Sequence, residues 1–150
     1  MKKSIVIMLL LLITVVSSAF ANNKDGVNEK INSAFNKAFS MASEVSWDTS
    51  KDLVKATFKL NEQVMFAYFS QNGELMAVTR NILSVQLPIS LMTALKSEYN
   101  NYWITELFEM YSTQGTTYYV TLENASTSLV LKADNGREWQ AYKKIKKNTE

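Results

Sequence analysis

From residue 53 to residue 60 the chain alternates without a break. Val54, Ala56, Phe58 and Leu60 stand against Lys55, Thr57 and Lys59. A period of two puts one set on each side of a strand, so one side is built to be buried. Residues 64–70 and 74–82 also read as strands. Asn61-Glu62 supplies a two-residue turn before them, and Asn72-Gly73 a tight turn between them. Asn-Gly suits a type I′ turn, which needs positive φ at both central positions. Pairing Leu60 with Gln63 sets Phe58 opposite Met65, Ala56 opposite Ala67 and Val54 opposite Phe69. Pairing Gln71 with Glu74 sets Phe69 opposite Met76 and Ala67 opposite Val78. Both turns thus select one face: Val54, Ala56, Phe58, Met65, Ala67, Phe69, Met76 and Val78. It is wholly apolar, as a face against a core must be. The other face carries Lys55, Thr57, Lys59, Phe66, Tyr68, Ala77 and Thr79.

A second Asn-Gly, Asn135-Gly136, lies 63 residues after the first. Residues 103–111, 117–122, 127–133 and 137–145 read as strands around it. Each strand group follows a helical pattern. In residues 28–42, Ile31, Ala34, Phe35, Ala38, Phe39 and Ala42 recur at spacings of three and four, with Asp25 or Asn28 as cap. In residues 89–99, Leu91, Met92, Leu95 and Tyr99 do the same behind Pro88, a residue suited to the first helical turn. Residues 44–50 add a strand in which Val45 and Trp47 alternate with polar side chains. The expectation is an α+β protein in two units, about 28–82 and 88–145. Each unit is a helix followed by a four-stranded antiparallel sheet, with both helices on one face. The 63-residue offset maps Phe69 onto Lys132 and Met65 onto Ser128. It leaves the inward face of the second unit open between Leu129 and Leu131 on one side and Val130, Trp139 and Ala141 on the other.

Residues 1–21 read as a secretory signal. Lys2 and Lys3 precede an apolar run over residues 5–16, and Ala19-Phe20-Ala21 offers a small-x-small cleavage site before Asn22. The run is short for a membrane span of ~20 residues. Cleavage would leave residues 22–150 as one domain, periplasmic or secreted, with no stable membrane insertion. It would also remove two of 16 basic residues and none of 14 acidic ones, giving a neutral chain. Neutrality argues against nucleic acid as a partner. Lys143, Lys144, Lys146 and Lys147 form the one charge cluster, read as a solvated strand end.

The sequence holds no cysteine and no histidine. Thiol nucleophiles, disulfides, Cys/His zinc sites, Ser-His-Asp triads and imidazole bases are therefore excluded. Carboxylate chemistry survives on composition, yet no convergent pair is visible. Glu106 and Glu109, three apart on a strand, face opposite ways. Asp134-Asn135-Gly136 lacks the ligand spacing of a calcium loop and reads as a turn. Asn124-Ala125-Ser126 is a glycosylation sequon, meaningful only in a host with that machinery. No cofactor or metal is expected.

Taken in order, "EVSWDTSKDLVKATF", "VMFAYFSQNGEL" and "LPISLMTALKSEY" resemble the small secreted PepSY-like proteins of Bacteroidota, which are similar to β-lactamase-inhibitor protein. The features shared are Val45-x-Trp47, the aromatic-x-x-Asn-Gly hairpin and Leu87-Pro88 opening the second helix. The resemblance spans roughly residues 28–145. It implies two α-β units with helices on one side of an antiparallel sheet and the other side gripping a protein. PepSY domains are associated with peptidase inhibition. The resemblance carries over no catalytic motif.

A non-enzymatic binding protein is the expectation that follows. Its partner would be a protein, such as a peptidase or another envelope enzyme. Lys55, Thr57, Lys59, Phe66 and Tyr68 form the candidate contact surface on the open face of the first unit. Tyr119 joins them from the second unit if Tyr118, Val120 and Leu122 point inward. Trp47 and Trp103 are read as core. The alternative is a small-ligand or peptide carrier with a pocket between helices and sheet, favoured by an apolar cavity of ~300 Å³ or more.

Overall fold

The computed structural model describes residues 27–147. The signal-like stretch, residues 1–21, lies outside them. The chain forms α1 (Glu29–Ala38), β1 (Ser43–Thr49), β2 (Leu53–Leu60), β3 (Gln63–Ser70) and β4 (Leu75–Asn81). A 3-10 turn, Ser84–Gln86, leads to α2 (Ile89–Glu98). Then come β5 (Trp103–Ser112), β6 (Gly115–Glu123), β7 (Thr127–Asp134) and β8 (Gln140–Lys146).

All eight strands lie in one antiparallel sheet, in sequence order. The expectation is a tandem repeat of a helix and a four-stranded sheet; the structure has one eight-stranded sheet instead. The seam is the pairing of β4 with β5, where Val78 faces Tyr111 and Arg80 faces Glu109. Turn chemistry reveals hairpins, but β4 and β5 are joined through a helix, so no local signal announces their pairing.

The β2–β3 register is the expected one, from Leu60 opposite Gln63 to Val54 opposite Phe69. Asn61 and Glu62 both have positive φ, 50° and 62°, as a type I′ turn requires. The Asn72-Gly73 turn is different. Only Gly73 has positive φ, 88°, and Ser70 and Glu74 close a three-residue loop. That loop shifts the start of β4 by one residue, so Phe69 faces Leu75 rather than Met76. A bulge at Met76 then restores the register, and Ala67 faces Val78 as expected. The bulge also turns Met76 away from the helices into the cluster on the opposite face.

The helix-side core has two parts. Under α1, Ile31 and Phe35 pack on Val54, Ala56, Phe58, Ala67 and Phe69, with Trp47 alongside. The Phe35 ring stands 5.0 Å from Phe58, 5.1 Å from Trp47 and 5.2 Å from Phe39. Under α2, Leu91 and Leu95 pack on Leu107, Val120, Leu122, Leu129, Leu131 and Ala133. This settles the open inward face of the second half. Leu129 and Leu131 point to the helix, and Val130 points away. Trp139 also packs there, from the loop before β8, with its Nε1 donating to the Leu91 carbonyl at 2.9 Å. Asn28 caps α1, its Oδ1 accepting from the Ile31 N–H at 3.0 Å.

Candidate functional site

Neither helix packs on the other face of the sheet, and its centre is nevertheless apolar. Leu53, Tyr68, Ala77, Phe108, Met110 and Tyr119 are buried there, with Phe66, Met76 and Val130 packed against them. This cluster crosses from β2 to β7. A two-layer α/β sheet ordinarily turns a polar face to solvent, so a continuous apolar row on this side is the feature to explain.

The register brings all six candidate residues to this face. Lys55 pairs with Tyr68, Thr57 with Phe66 and Lys59 with Val64. Tyr119 joins from β6 opposite Phe108, while Val120 and Leu122 turn to α2. The expectation of an open aromatic patch needs correction at two positions. Tyr68 is 2% exposed and Tyr119 0%. Strands stand roughly 4.8 Å apart, so large rings on neighbouring strands close over one another. Phe108 stacks on Tyr119 at 5.0 Å and Tyr142 meets it edge-on at 5.8 Å. Phe66, Lys55, Thr57 and Lys59 are half-buried.

Charges surround the aromatic centre. Lys55 pairs with Asp48 at 3.4 Å and Lys59 with Glu44 at 2.8 Å, between β2 and the edge strand β1. Lys132 pairs with Asp134 at 2.9 Å, and Lys147 with Glu123 at 2.6 Å, on the second half. Of five ion pairs among the described residues, only Arg80–Glu109 lies on the helix side. An apolar centre thus lies within a rim of paired charges.

Two tyrosine hydroxyls sit inside the centre. Burial holds the Tyr68 phenol above its ordinary range, with nearby Thr79 acting in the opposite direction. Burial raises Tyr119 far more, aided by Tyr142 and Asp134. Tyr119 Oη is the one buried side-chain oxygen or nitrogen among the described residues with no hydrogen-bond partner. Thr117, also buried here, donates to Asp134 Oδ1 at 3.0 Å.

Trp103 was expected in the core and is 53% exposed. It begins β5 opposite Glu123, at the end of the sheet beyond the cluster, with Lys147 Nζ 5.6 Å from its ring. Sequence parity missed this because it gives a face and not a distance from the sheet end. Glu106 and Glu109 do take opposite faces: Glu106 accepts from Thr121 Oγ1, and Glu109 binds Arg80. Asn135 and Gly136 both have positive φ, so that segment is a turn. No group of three or more metal-ligating side chains occurs among the described residues. No helix among them is long and apolar enough to cross a membrane.

A recess of about 350 Å³ lies beside the C-terminal half of α2 and the residues that follow it, open to solvent on one side. Leu95, Tyr99, Tyr102, Ile104 and Leu122 line it, with Lys96 among the polar neighbours. Helix and strand lengths explain it. Ten helical residues rise about 15 Å, ten strand residues about 33 Å, so α2 cannot cover all of β5.

Comparison with solved structures decides the architecture. A BLIP-like protein from Bacteroides fragilis superposes with a TM-score of 0.70 at 17% identity, covering 83% of this chain and 89% of that one. The fold is BLIP-like. A candidate periplasmic protein from Bacteroides eggerthii gives 0.71 at 12% identity, covering 81% and 90%. A DUF2874 family protein from Bacteroides uniformis gives 0.71 at 13%, with the same coverage. No protein-family model and no curated protein matches the chain, so the PepSY half of the sequence resemblance has no counterpart here.

Proposed function

We propose that this is a non-enzymatic binding protein of the cell envelope, secreted as residues 22–150 in one domain of two α-β units, about 28–82 and 88–145. It engages a protein partner, such as a peptidase or another envelope enzyme, through the sheet face opposite the helices. The observation that carries this reading is the apolar row on that face, ringed by four ion pairs. Lys55, Thr57, Lys59 and Phe66 provide the accessible contacts, and Tyr68 and Tyr119 form the floor. The mechanism is occlusion: a face this broad covers a partner's surface without chemistry. A neighbour described as a candidate periplasmic protein agrees with the compartment.

The test is retention from an envelope extract by the immobilised protein and by a folded Lys55→Glu/Phe66→Ser variant. A protein held by the first and lost by the second is the expected result. Equal retention would move the interface off this face, and no retention by either would sink the proposal.

The recess beside α2 supports a second reading, a small-ligand carrier, because its volume reaches the range of ligand sites. Its open side argues for the first reading, since a carrier site buries most of its ligand. Quenching of Tyr99 and Tyr102 fluorescence by medium-chain fatty acids would reverse that preference.

A further inference from the structure

The Tyr119 hydroxyl is an anomaly. A buried Tyr ring is ordinarily anchored by a hydrogen bond from its hydroxyl, and an orphaned buried polar group destabilises the protein that carries it. Tyr68 Oη, on the same face, is not among the buried atoms that lack a partner. Thr117 obeys the rule through Asp134. Among the described residues, Tyr119 alone has a fully buried side-chain oxygen or nitrogen without a partner, and it lies in the one apolar cluster that neither helix covers. Phenylalanine would fill that space without the penalty, as Phe108 beside it does.

We infer that the Tyr119 hydroxyl is kept unpaired in the free protein to donate to a neutral acceptor, a main-chain carbonyl or amide oxygen, on an apolar segment of the bound protein partner. This rests on the reading of this face as the binding surface. The acceptor is neutral because a carboxylate would lose its hydration among Phe108, Met110 and Val130, and because Lys132, opposite Tyr119, already has its counter-charge in Asp134. Phenol chemistry fits: the raised ionisation range keeps the hydroxyl a donor at any physiological pH. The route in is past Tyr142. That residue is the extra one in β8 where Val130 faces Lys143 and Leu131 faces Ala141. A bulged residue on an edge strand is held by no ladder of its own, so its half-buried ring is the movable wall of the Tyr119 site.

The experiment uses random peptides displayed on phage as the probe. Peptides that bind the purified protein and lose binding to folded Phe66→Glu and Lys55→Glu variants are taken as face-directed. For these, Tyr119→Phe is expected to weaken binding about tenfold, one neutral hydrogen bond's worth. The same substitution is expected to raise the melting temperature of the free protein by about 2–4 °C. Thr117→Val, which breaks a satisfied bond on the same face, is expected to lower it. A fall in melting temperature for Tyr119→Phe would overturn the inference, since the hydroxyl would then have a partner already. Unchanged affinity beside a raised melting temperature would also overturn it, by leaving the hydroxyl unpaired and unused. If no face-directed peptide is recovered, the binding reading itself fails, whatever the melting temperatures say.

Discussion

The two halves of the molecule follow one order of elements and fill their cores with different chemistry. Under α1 the packing is aromatic, with Phe35 at the centre of a ring of Phe39, Trp47, Phe58 and Phe69. Under α2 it is aliphatic, built on Leu91, Leu95, Leu107, Leu122, Leu129 and Leu131 around Val120. Large rings meet edge to face, so a few of them fill the space between helix and strands. The aliphatic half needs more side chains and adds Trp139, which ties the loop before β8 to the α2 backbone. One backbone plan thus accepts two packings, provided volume and face are kept.

The offset between the halves shows where identity resides. The Asn-Gly pairs lie 63 residues apart, but inward-facing Val54, Ala56 and Phe58 correspond to Tyr118, Val120 and Leu122, 64 residues on. A slip of one residue exchanges the two faces of a strand. Aligning the turns therefore matches Phe69, which is buried, to Lys132, which pairs with Asp134 on the far face.

The sharpest way to break this comparison is to empty each centre. Phe35→Ala should destabilise by about 4 kcal/mol and Leu91→Ala by about 3 kcal/mol, measured by urea unfolding. Both should move a single transition, because one sheet joins the halves. Two separated transitions would show that the halves unfold independently and that the seam is weak. The next effect contrasts the far face with both cores and is read by alkali. Tyr68 and Tyr119 ionise above 10.0 when folded and near 10.0 when unfolded. Above about pH 10 the unfolded chain gives up protons that the native state keeps, so stability is complete below that pH and falls as it rises. Alkaline unfolding followed by circular dichroism should therefore start near pH 10 and shift upward in Tyr119→Phe.

The seam itself should yield a smaller effect. Arg80 bonds Glu109 across β4–β5 and Gln63 Oε1 at 2.8 Å. Arg80→Met should cost about 1–2 kcal/mol, and a double-mutant cycle with Glu109→Gln should recover part of it. The two helices then differ at their ends. Trp139→Phe should cost about 1 kcal/mol by removing the bond to Leu91. Asn28→Ala should cost about 1 kcal/mol or slightly less by uncapping α1. α2 begins behind Pro88 with no side-chain cap, so the equivalent substitution there should change little. A large effect at Pro88 would show that the proline, and not packing, holds α2 in place.

Local pattern determined a great deal about this protein. Alternation and turn residues fixed the β2–β3 register pair by pair, the two helices, and the face on which Lys55, Thr57, Lys59, Phe66 and Tyr68 lie, because side-chain parity and turn dihedrals are properties of adjacent residues, while the face of Tyr119 stayed open. Tertiary structure decided what adjacent residues cannot encode. It joined β4 to β5 across a helix and bulged Met76 to absorb a three-residue loop. It left Trp103 beyond the end of the cluster. It closed Phe108 and Tyr142 over Tyr119, leaving a hydroxyl unpaired. Each of these depends on which distant strands stand side by side, and the free energy of packing large side chains across a sheet is settled only when they do.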